Sequence, residues 1–415
     1  MIPTDRPLNC FYDFSTSPAY HDFITFLQIA ELHRIRHGFD TLRIIFVPGP
    51  KEGFRNDKLR TTESNQLMAR NVLLPACHLL KSCTSVMWLD QRELAQGLLS
   101  NPSAVFPRDY TLENSISDYL EPAIQCAFLR DEVISYFTAP ADKQKTAQAF
   151  IKSVCGNKKP LTITLREASH DHSDRRSINE TEWLKFFEKI DLNIYQPIIV
   201  RDTACVFDTD NVFPGYPKAP MASIDVLFRI ALYENSYVNF FVNNGPYIFS
   251  LYTKYNSIVF KYSCENVLAT TKEFLKNNVG LAYGDQRPIT EKRTIIAWED
   301  DDENVISAYF EFMVDQIESG VDLSEQHNVS SGEQIFNTIR IALNYIFIKF
   351  KYSVCEEDLR VLLRIQQMNE ILKDEPRWQC NLKEIILSNE GKMIPRGSLE
   401  KIKQLENTIK IGLKL

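Results

Sequence analysis

What these 415 residues lack narrows their chemistry before any motif is read. No run of about 18 or more apolar residues occurs, the length a membrane-spanning helix needs. The opening Met1–Phe14 stretch has no basic segment followed by an apolar one, the form of a secretory leader. A cytoplasmic location is the expectation. Glycine is scarce, 14 residues against 19 prolines. None of it forms Gly-x-Gly-x-x-Gly after the first strand, a Walker Gly-Lys-Ser/Thr or Gly-x-Ser-x-Gly, and His-Glu-x-x-His is missing too. Those absences count against a dehydrogenase, a P-loop ATPase, a serine hydrolase and a zincin. Paired cysteine is also lacking: nine cysteines (Cys10, Cys77, Cys83, Cys126, Cys155, Cys205, Cys264, Cys355, Cys380) are scattered without a Cys-x-x-Cys. Reduced, buried thiols and no zinc site are expected. Nor is there an excess of basic residues; the formal charge of -7 argues against a nucleic-acid partner, which needs a concentrated positive face.

What is present is ordinary globular composition, 44% hydrophobic and 24% charged, over a length suited to two or three domains. An apolar run at Cys10 to Phe14 leads through Ser15-Thr16-Ser17-Pro18 into a helical pattern from about Tyr20 to His37, with Phe23, Phe26, Leu27, Ala30 and Ile35 near one face. A second run, Leu42 to Val47, completes a βαβ unit and opens a parallel sheet. The pattern predicts further helices at Asn65–Leu80, Gln91–Leu99 and two between Asn114 and Val154, with a strand at Ser85–Leu89. A polar stretch from Cys155 to Pro160 reads as a linker, closing a first domain at 1–155.

A second βα series, 160–318, has strands at Leu161–Leu165, Pro197–Val200, Val238–Val242, Ser257–Lys261 and Thr294–Trp298 alternating with helices. Such alternation favours a doubly wound, Rossmann-like sheet. Residues 319–415 keep helical spacing without strands and read as a helical extension. Its last stretch, Leu399 to Leu415, sets Leu399, Ile402, Ile409 and Leu413 among lysines. It suits either packing on its own domain or contact with a membrane surface.

Chemistry is most legible at Val238 to Pro246, where an apolar strand ends in Asn243-Asn244-Gly245-Pro246 before a helix. Pro fits a first helical turn, Gly admits close approach of a ligand, and a helix start offers unpaired N–H donors to a phosphate. The alternative is a strand-to-helix turn with no ligand. Arg166 and Glu167, at the carboxyl end of the domain's first strand, should face the crevice. Arg166 could grip a phosphate and Glu167 act as acid or base, or the two could form a surface ion pair. The argument extends to Arg201, after the second strand. In the first domain, Asp13, Ser15, Ser17 and His21 follow the opening strand. Asp13 or His21 could accept a proton, and Asp13 or Ser17 could instead cap the next helix. In the acidic run Trp298 to Glu303, Glu299 or Asp300 is placed to contact a ribose or sugar hydroxyl; the run lacks calcium-loop spacing and no metal is expected.

Helix, strand, Asn-Asn-Gly-Pro, helix and strand together resemble the donor half of bacterial heptosyltransferase-like enzymes, over roughly residues 160–315. Those enzymes carry an Asp-Thr-Gly-Pro-Met-His turn; this chain keeps Gly245 and Pro246 with Tyr247 and Ile248 where Met and His would follow. The resemblance implies a GT-B fold, two Rossmann-like domains facing a cleft. It further implies a glycosyltransferase moving sugar from a nucleotide-sugar donor to a glycan or glycolipid acceptor, in bacterial surface polysaccharide assembly. On that reading Arg166, Arg201, Asn243, Asn244, Gly245, Pro246 and Glu299 bind the donor, Ser15, Ser17 and His21 the acceptor, Asp13 and Glu167 handle protons, and no cofactor is required. A GT-B-shaped epimerase or pyruvyl transferase, or a non-catalytic interaction protein, are the alternatives.

Overall fold

The computed structural model describes residues 6–319, apart from 58–59, 109, 117–120, 122–123, 125–126, 129–132, 168–175, 280 and 291–292. The helical extension expected over 319–415, with its Leu399–Leu415 stretch, therefore lies outside the described residues beyond Ser319.

Two parallel sheets carry the fold. The first has β1 (Pro7–Asp13), β2 (Thr41–Val47), β3 (Cys83–Trp88) and β4 (Val105–Phe106) in the order β3-β2-β1-β4. The second has β5 (Lys159–Thr164), β6 (Tyr195–Val200), β7 (Val238–Val242), β8 (Ser257–Phe260) and β9 (Thr294–Ile296) in the order β6-β5-β7-β8-β9. Each order reverses once, between β1 and β4 and between β5 and β7. A crevice opens at such a point, because the connections on either side leave toward opposite faces.

Two-residue periodicity sorts the strands' side chains. Cys10 and Tyr12 of β1, with Phe14 just beyond it, join Phe23, Phe26, Leu27 and Ala30 of helix α1 (Asp22–His37), while Phe11 turns to the other face with Ile45, Val47 and Tyr110. The helix predicted from about Tyr20 is thus present, and Gly38 ends it in the left-handed region (φ 64°), the conformation a residue without Cβ adopts freely. Helical structure from Thr62 to Leu79 includes a wide turn at Ala69–Leu73 just ahead of Pro75. Proline has no N–H for the regular ladder and clashes with the carbonyl four residues back, which accounts for the widening. In the second unit Leu161 and Ile163 pack with Trp183, Phe186 and Phe187 of the Glu180–Lys189 helix and with Phe240 and Phe260.

The last predicted strand ends at Ile296, because Trp298 turns inward and donates its indole N–H to the Asp285 carbonyl at 2.9 Å. Asp302 caps the following helix, Glu303–Ser319, accepting from the N–H groups of Asn304 (3.0 Å) and Val305 (3.1 Å). Of the two helices expected between Asn114 and Val154, one is Ala141–Cys155, packed along the Val226–Glu234 helix; much of the preceding stretch lies outside the described residues.

One apolar cluster runs from Tyr12 and Phe26 through to Val200, Phe241 and Val259 of the second sheet, so the two units share a core. Polar ties cross the same boundary: Thr25 and Tyr252 hydroxyls lie 3.3 Å apart, and Phe137 N–H donates to the Tyr252 carbonyl (2.8 Å), while within the first unit Gln28 donates to the Ser135 carbonyl (2.8 Å). Glu31, almost fully buried, accepts from Arg34, Ser82 and Ser135.

Glu234 adds a pH-sensitive tie. Its carboxylate accepts from the Ala139 N–H (3.1 Å) and from Gln144, at the start of the Ala141–Cys155 helix. Burial raises its pKa from 4.5 to about 7, against the lowering pull of the Ala139 and Gln144 bonds. The folded chain then holds a proton that the unfolded chain has lost. The resulting stabilisation is full below about pH 4.5 and falls as pH rises through about 7. Urea unfolding of Glu234→Gln should show a flatter stability curve than wild type across that window; parallel curves would refute the assignment.

Candidate functional site at the domain junction

The carboxyl ends of β5 and β7 flank the second sheet's reversal point, and Asn243 to Pro246 stands there as the sequence predicts. Asn243 donates from Nδ2 to the Tyr262 carbonyl (2.5 Å), and its own carbonyl accepts from Arg176 (3.4 Å). Asn244 is the N-cap of the tight Gly245–Tyr252 helix, its Oδ1 accepting from the Tyr247 N–H at 3.2 Å. That bond directs the Asn244 Nδ2 away from the helix, and this buried group has no partner.

His21 of the first unit meets this turn. A Cβ placed on Gly245 would lie 2.1 Å from the His21 Nδ1 and 2.4 Å from its Cε1. The close approach that glycine was expected to give a ligand is therefore filled, on that side, by an imidazole. His21 is also the N-cap position of α1, with no side-chain cap bond, so two helix starts converge. Burial first, then the charges of Arg229 and Arg60, push the His21 pKa from 6.5 down to about 3. The ring is neutral at physiological pH, and its buried Nε2 has no partner.

Arginines surround the junction. Arg60 lies over the Tyr20 ring, 4.1 Å from its centroid; the Tyr20 hydroxyl donates to Asp57 (2.5 Å), which Arg55 also contacts at 3.3 Å. Asp22, first residue of α1, has its pKa raised by burial against the pull of its own main-chain N–H and of Arg55 and Arg60. Its charge in turn bears on Tyr247, with Arg176 acting oppositely.

The other predicted residues are placed differently. Asp13 is fully buried in a bidentate pair with Arg92 (2.6 and 2.7 Å), and it also accepts from Tyr110 (2.7 Å) and the Ser15 N–H (2.9 Å). Burial works against its charge, but Arg92, Tyr110 and Ser15 outweigh it, and the pKa is lowered. The carboxylate fills the first sheet's reversal point and fixes the loop after β1. Neither Asp13 nor Ser17 caps α1. Ser17 is buried in that loop, and the Ser15 hydroxyl meets Ser115 at 3.1 Å. Glu167 and Arg201 are brought together across adjacent strand ends (2.5 Å), with Asp210 on the same guanidinium (2.5 Å), so the Arg166–Glu167 surface pair is replaced by a Glu167–Arg201–Asp210 triad. Arg166 stands half-buried beside it. Glu299 is exposed and accepts from the Tyr309 hydroxyl (3.0 Å). Within the acidic run Asp301 and Glu303, not Glu299, are buried, Asp301 being held by Lys261 (2.7 Å), the Trp183 indole (2.9 Å) and the Asn179 N–H (3.0 Å).

The structure thus unites His21 with Asn243, Asn244, Gly245 and Pro246, while Asp13, Glu167 and Arg201 hold ion pairs. Arg60, Tyr20 and Asp22 escaped sequence reasoning, since nothing in a polar loop or a helix start marks which residue turns toward a distant segment.

No family model matches the chain, and no curated protein matches it in sequence. Among solved structures it is similar to a glycosyl transferase family 9 protein from Veillonella parvula DSM 2008, at 9% identity over 76% of this chain and 99% of that one, with a TM-score of 0.44. It is similar to the wall teichoic acid polymerase TagF, at 9% identity over 83% of this chain and 90% of that one (TM-score 0.27). It is also similar to S. aureus MnaA in a co-structure with UDP, at 11% identity over 77% of this chain and 97% of that one (TM-score 0.28).

The Gly245–His21 contact has a direct test. Gly245→Ala should destabilise the fold, because the new methyl overlaps a buried ring, and His21→Ala should relieve much of that cost. A double-mutant cycle by chemical denaturation is expected to give a coupling of roughly 0.5–3 kcal/mol. Strict additivity would mean the two residues do not touch.

Proposed function

We propose that this chain is a GT-B glycosyltransferase that takes a sugar from a nucleotide-sugar and delivers it to a glycan or glycolipid acceptor. The supporting observation is the junction itself. At the reversal point of the second sheet, a capped helix start carrying an unpartnered Asn244 Nδ2 meets the start of α1 within the field of Arg55, Arg60 and Arg176. A donor's diphosphate is the ligand class that such donors and positive charges stabilise, and its departure as an anion is the step they would favour. The resemblance to heptosyltransferase-like enzymes favours bacterial surface polysaccharide assembly as the setting.

In this reading Asn243 to Pro246 hold the donor phosphates with Arg176 beside them, and Arg166 stands at the neighbouring strand end. Asp13 and the Glu167–Arg201 pair act by anchoring the loops that carry the site, since removing one member of a buried pair leaves the other charge uncompensated. Ser15, Ser17 and His21 line the acceptor side. Removal of the acceptor proton falls to Asp22. Its side chain makes no ion pair among the described residues, its pKa is raised by burial, and it follows directly on the residue that touches Gly245. Glu299 is kept as a contact for a sugar hydroxyl at the exposed end of the second sheet.

Calorimetric titration with UDP-, GDP-, ADP- and CMP-sugars should find one class bound by wild type and weakened about ten-fold or more in Asn244→Ala and Arg176→Ala. Binding of none would end the proposal, and binding indifferent to both substitutions would move the site elsewhere. With the donor in hand, Asp22→Asn should leave its affinity within a few-fold and slow nucleotide release by about 10²–10⁴-fold. An unchanged rate would remove Asp22 from the chemistry. Consumption of donor with no acceptor added would instead favour an epimerase.

A further inference from the structure

Three groups at the junction have hydrogen-bonding capacity that nothing in the described structure uses. The Asn244 Nδ2 is buried without a partner, in a residue only 6% exposed. The His21 Nε2 is likewise buried and unpartnered. Arg60, half-buried, makes no hydrogen bond or ion pair among the described residues, although its guanidinium carries five donors in a fixed plane. Leaving buried polar groups unmade is costly, and a native structure that keeps several together calls for a ligand or ordered water.

We propose that Arg60 completes an oxyanion seat opposite the Asn244–Gly245 turn, so that one phosphate or pyrophosphate group is held by both domains at once. The identity of the ligand as a donor's diphosphate rests on the proposed function; the seat as an anion site does not.

Arg60 is held in place for this task. It lies against the Tyr20 ring, Tyr20 is fixed by Asp57, and Asp57 is steadied by Arg55, which also donates to the Thr16 carbonyl at 3.2 Å. Within the same junction Arg60 is close enough to act electrostatically on both His21 and Asp22. On the far side, Asn244 cannot turn its amide, because its Oδ1 is bonded to the Tyr247 N–H. The nearby acidic groups do not cancel the field: Asp57 is engaged with Tyr20 and Arg55, and Asp22 faces both Arg55 and Arg60. A multiply charged oxyanion supplies several acceptors to such a set, which a neutral sugar or an apolar ligand does not. The His21 ring bars the space directly above Gly245, so the anion sits beside the ring, between Asn244 and Arg60.

Inorganic pyrophosphate and UDP serve as probes, titrated by calorimetry into wild type, Arg60→Gln, Asn244→Ala and Lys185→Gln, the last removing one exposed positive charge from a remote helix. The folded state of each variant is checked by its thermal transition. Wild type is expected to bind pyrophosphate, Arg60→Gln and Asn244→Ala each to lose about ten-fold or more, and Lys185→Gln to match wild type. Equal binding in Arg60→Gln and wild type, or no pyrophosphate binding by wild type, overturns the seat. If pyrophosphate binding depends on Arg60 but no nucleotide-sugar binds better than pyrophosphate alone, the seat stands and the donor reading falls. If nucleotide-sugars bind and Arg60→Gln is indifferent, the donor reading stands and the seat falls.

Discussion

The absence of one methyl group holds the junction together. Because Gly245 has no Cβ, the imidazole of His21 can lie against its backbone, and α1 can bring its first turn onto the start of the Gly245–Tyr252 helix. A Cβ at 245 would force the buried His21 ring or the turn itself to shift, since interiors are packed too tightly to absorb an overlap of that size unchanged. The contact decides which groups meet: Asp22 lies beside His21 by chain connectivity, Arg60 acts on both, and Asp22 and Arg176 act in turn on Tyr247. It also explains the neutral histidine. A buried ring facing Arg229 and Arg60 holds a proton poorly.

Around that contact, carboxylates are used to fix loops at strand ends. Asp13 with Arg92, Glu167 with Arg201, and Asp301 with Lys261 each stand at or just beyond the carboxyl edge of a sheet. Parallel strands leave irregular loops at that edge, whose backbone groups have no ladder to join. A buried carboxylate that accepts from the Ser15, Asp202 or Asn179 N–H satisfies one of them while pairing with a cation. Such pairs add little net stability against well-packed apolar residues, but removing one partner is costly. Their contribution is to geometry, holding the loops that frame the junction.

The sequence carried the architecture well because strand and helix periods are local properties. The apolar run Cys10 to Phe14, the three-to-four spacing in Phe23, Phe26, Leu27 and Ala30, and the Asn-Asn-Gly-Pro punctuation each follow from neighbours a few residues apart, and each marks an element found in the structure. The site was legible in part for the same reason: the Asn244–Gly245 turn advertises itself. Its partner does not. That His21 faces Gly245, across more than half the chain, follows from how two sheets share a core, and no local pattern encodes it. Glu167 illustrates the failure most sharply. Beside Arg166 in sequence it reads as a possible local pair, but successive residues of an extended chain point to opposite sides, and the guanidinium it meets is Arg201 at the next strand's end. The acidic run misled in a similar way, since Asp301 and Glu303 turned inward, Glu299 stayed exposed and Asp302 became a helix cap.

Net charge and local charge also part company here. The chain as a whole is acidic, with a formal charge of -7, which sets its solubility and discourages loose association with polyanions. At the junction positive groups gather instead: Arg229 and Arg60 act on His21, and Arg55 and Arg60 on Asp22. On the proposed reading, an oxyanion would approach a chain of net negative charge before it met the arginines of the junction. Steering by the whole protein would therefore contribute little to its capture, and affinity would rest on short-range donors whose directions are already set. Fixed donors need little reorganisation when charge arrives, which is the property a site must have if it is to stabilise an anion that forms on it during a reaction. On the proposed reading, the ion pairs at the strand ends, the glycine contact and the stacked Arg60 would all serve that one end, keeping the donors in place before an anion arrives.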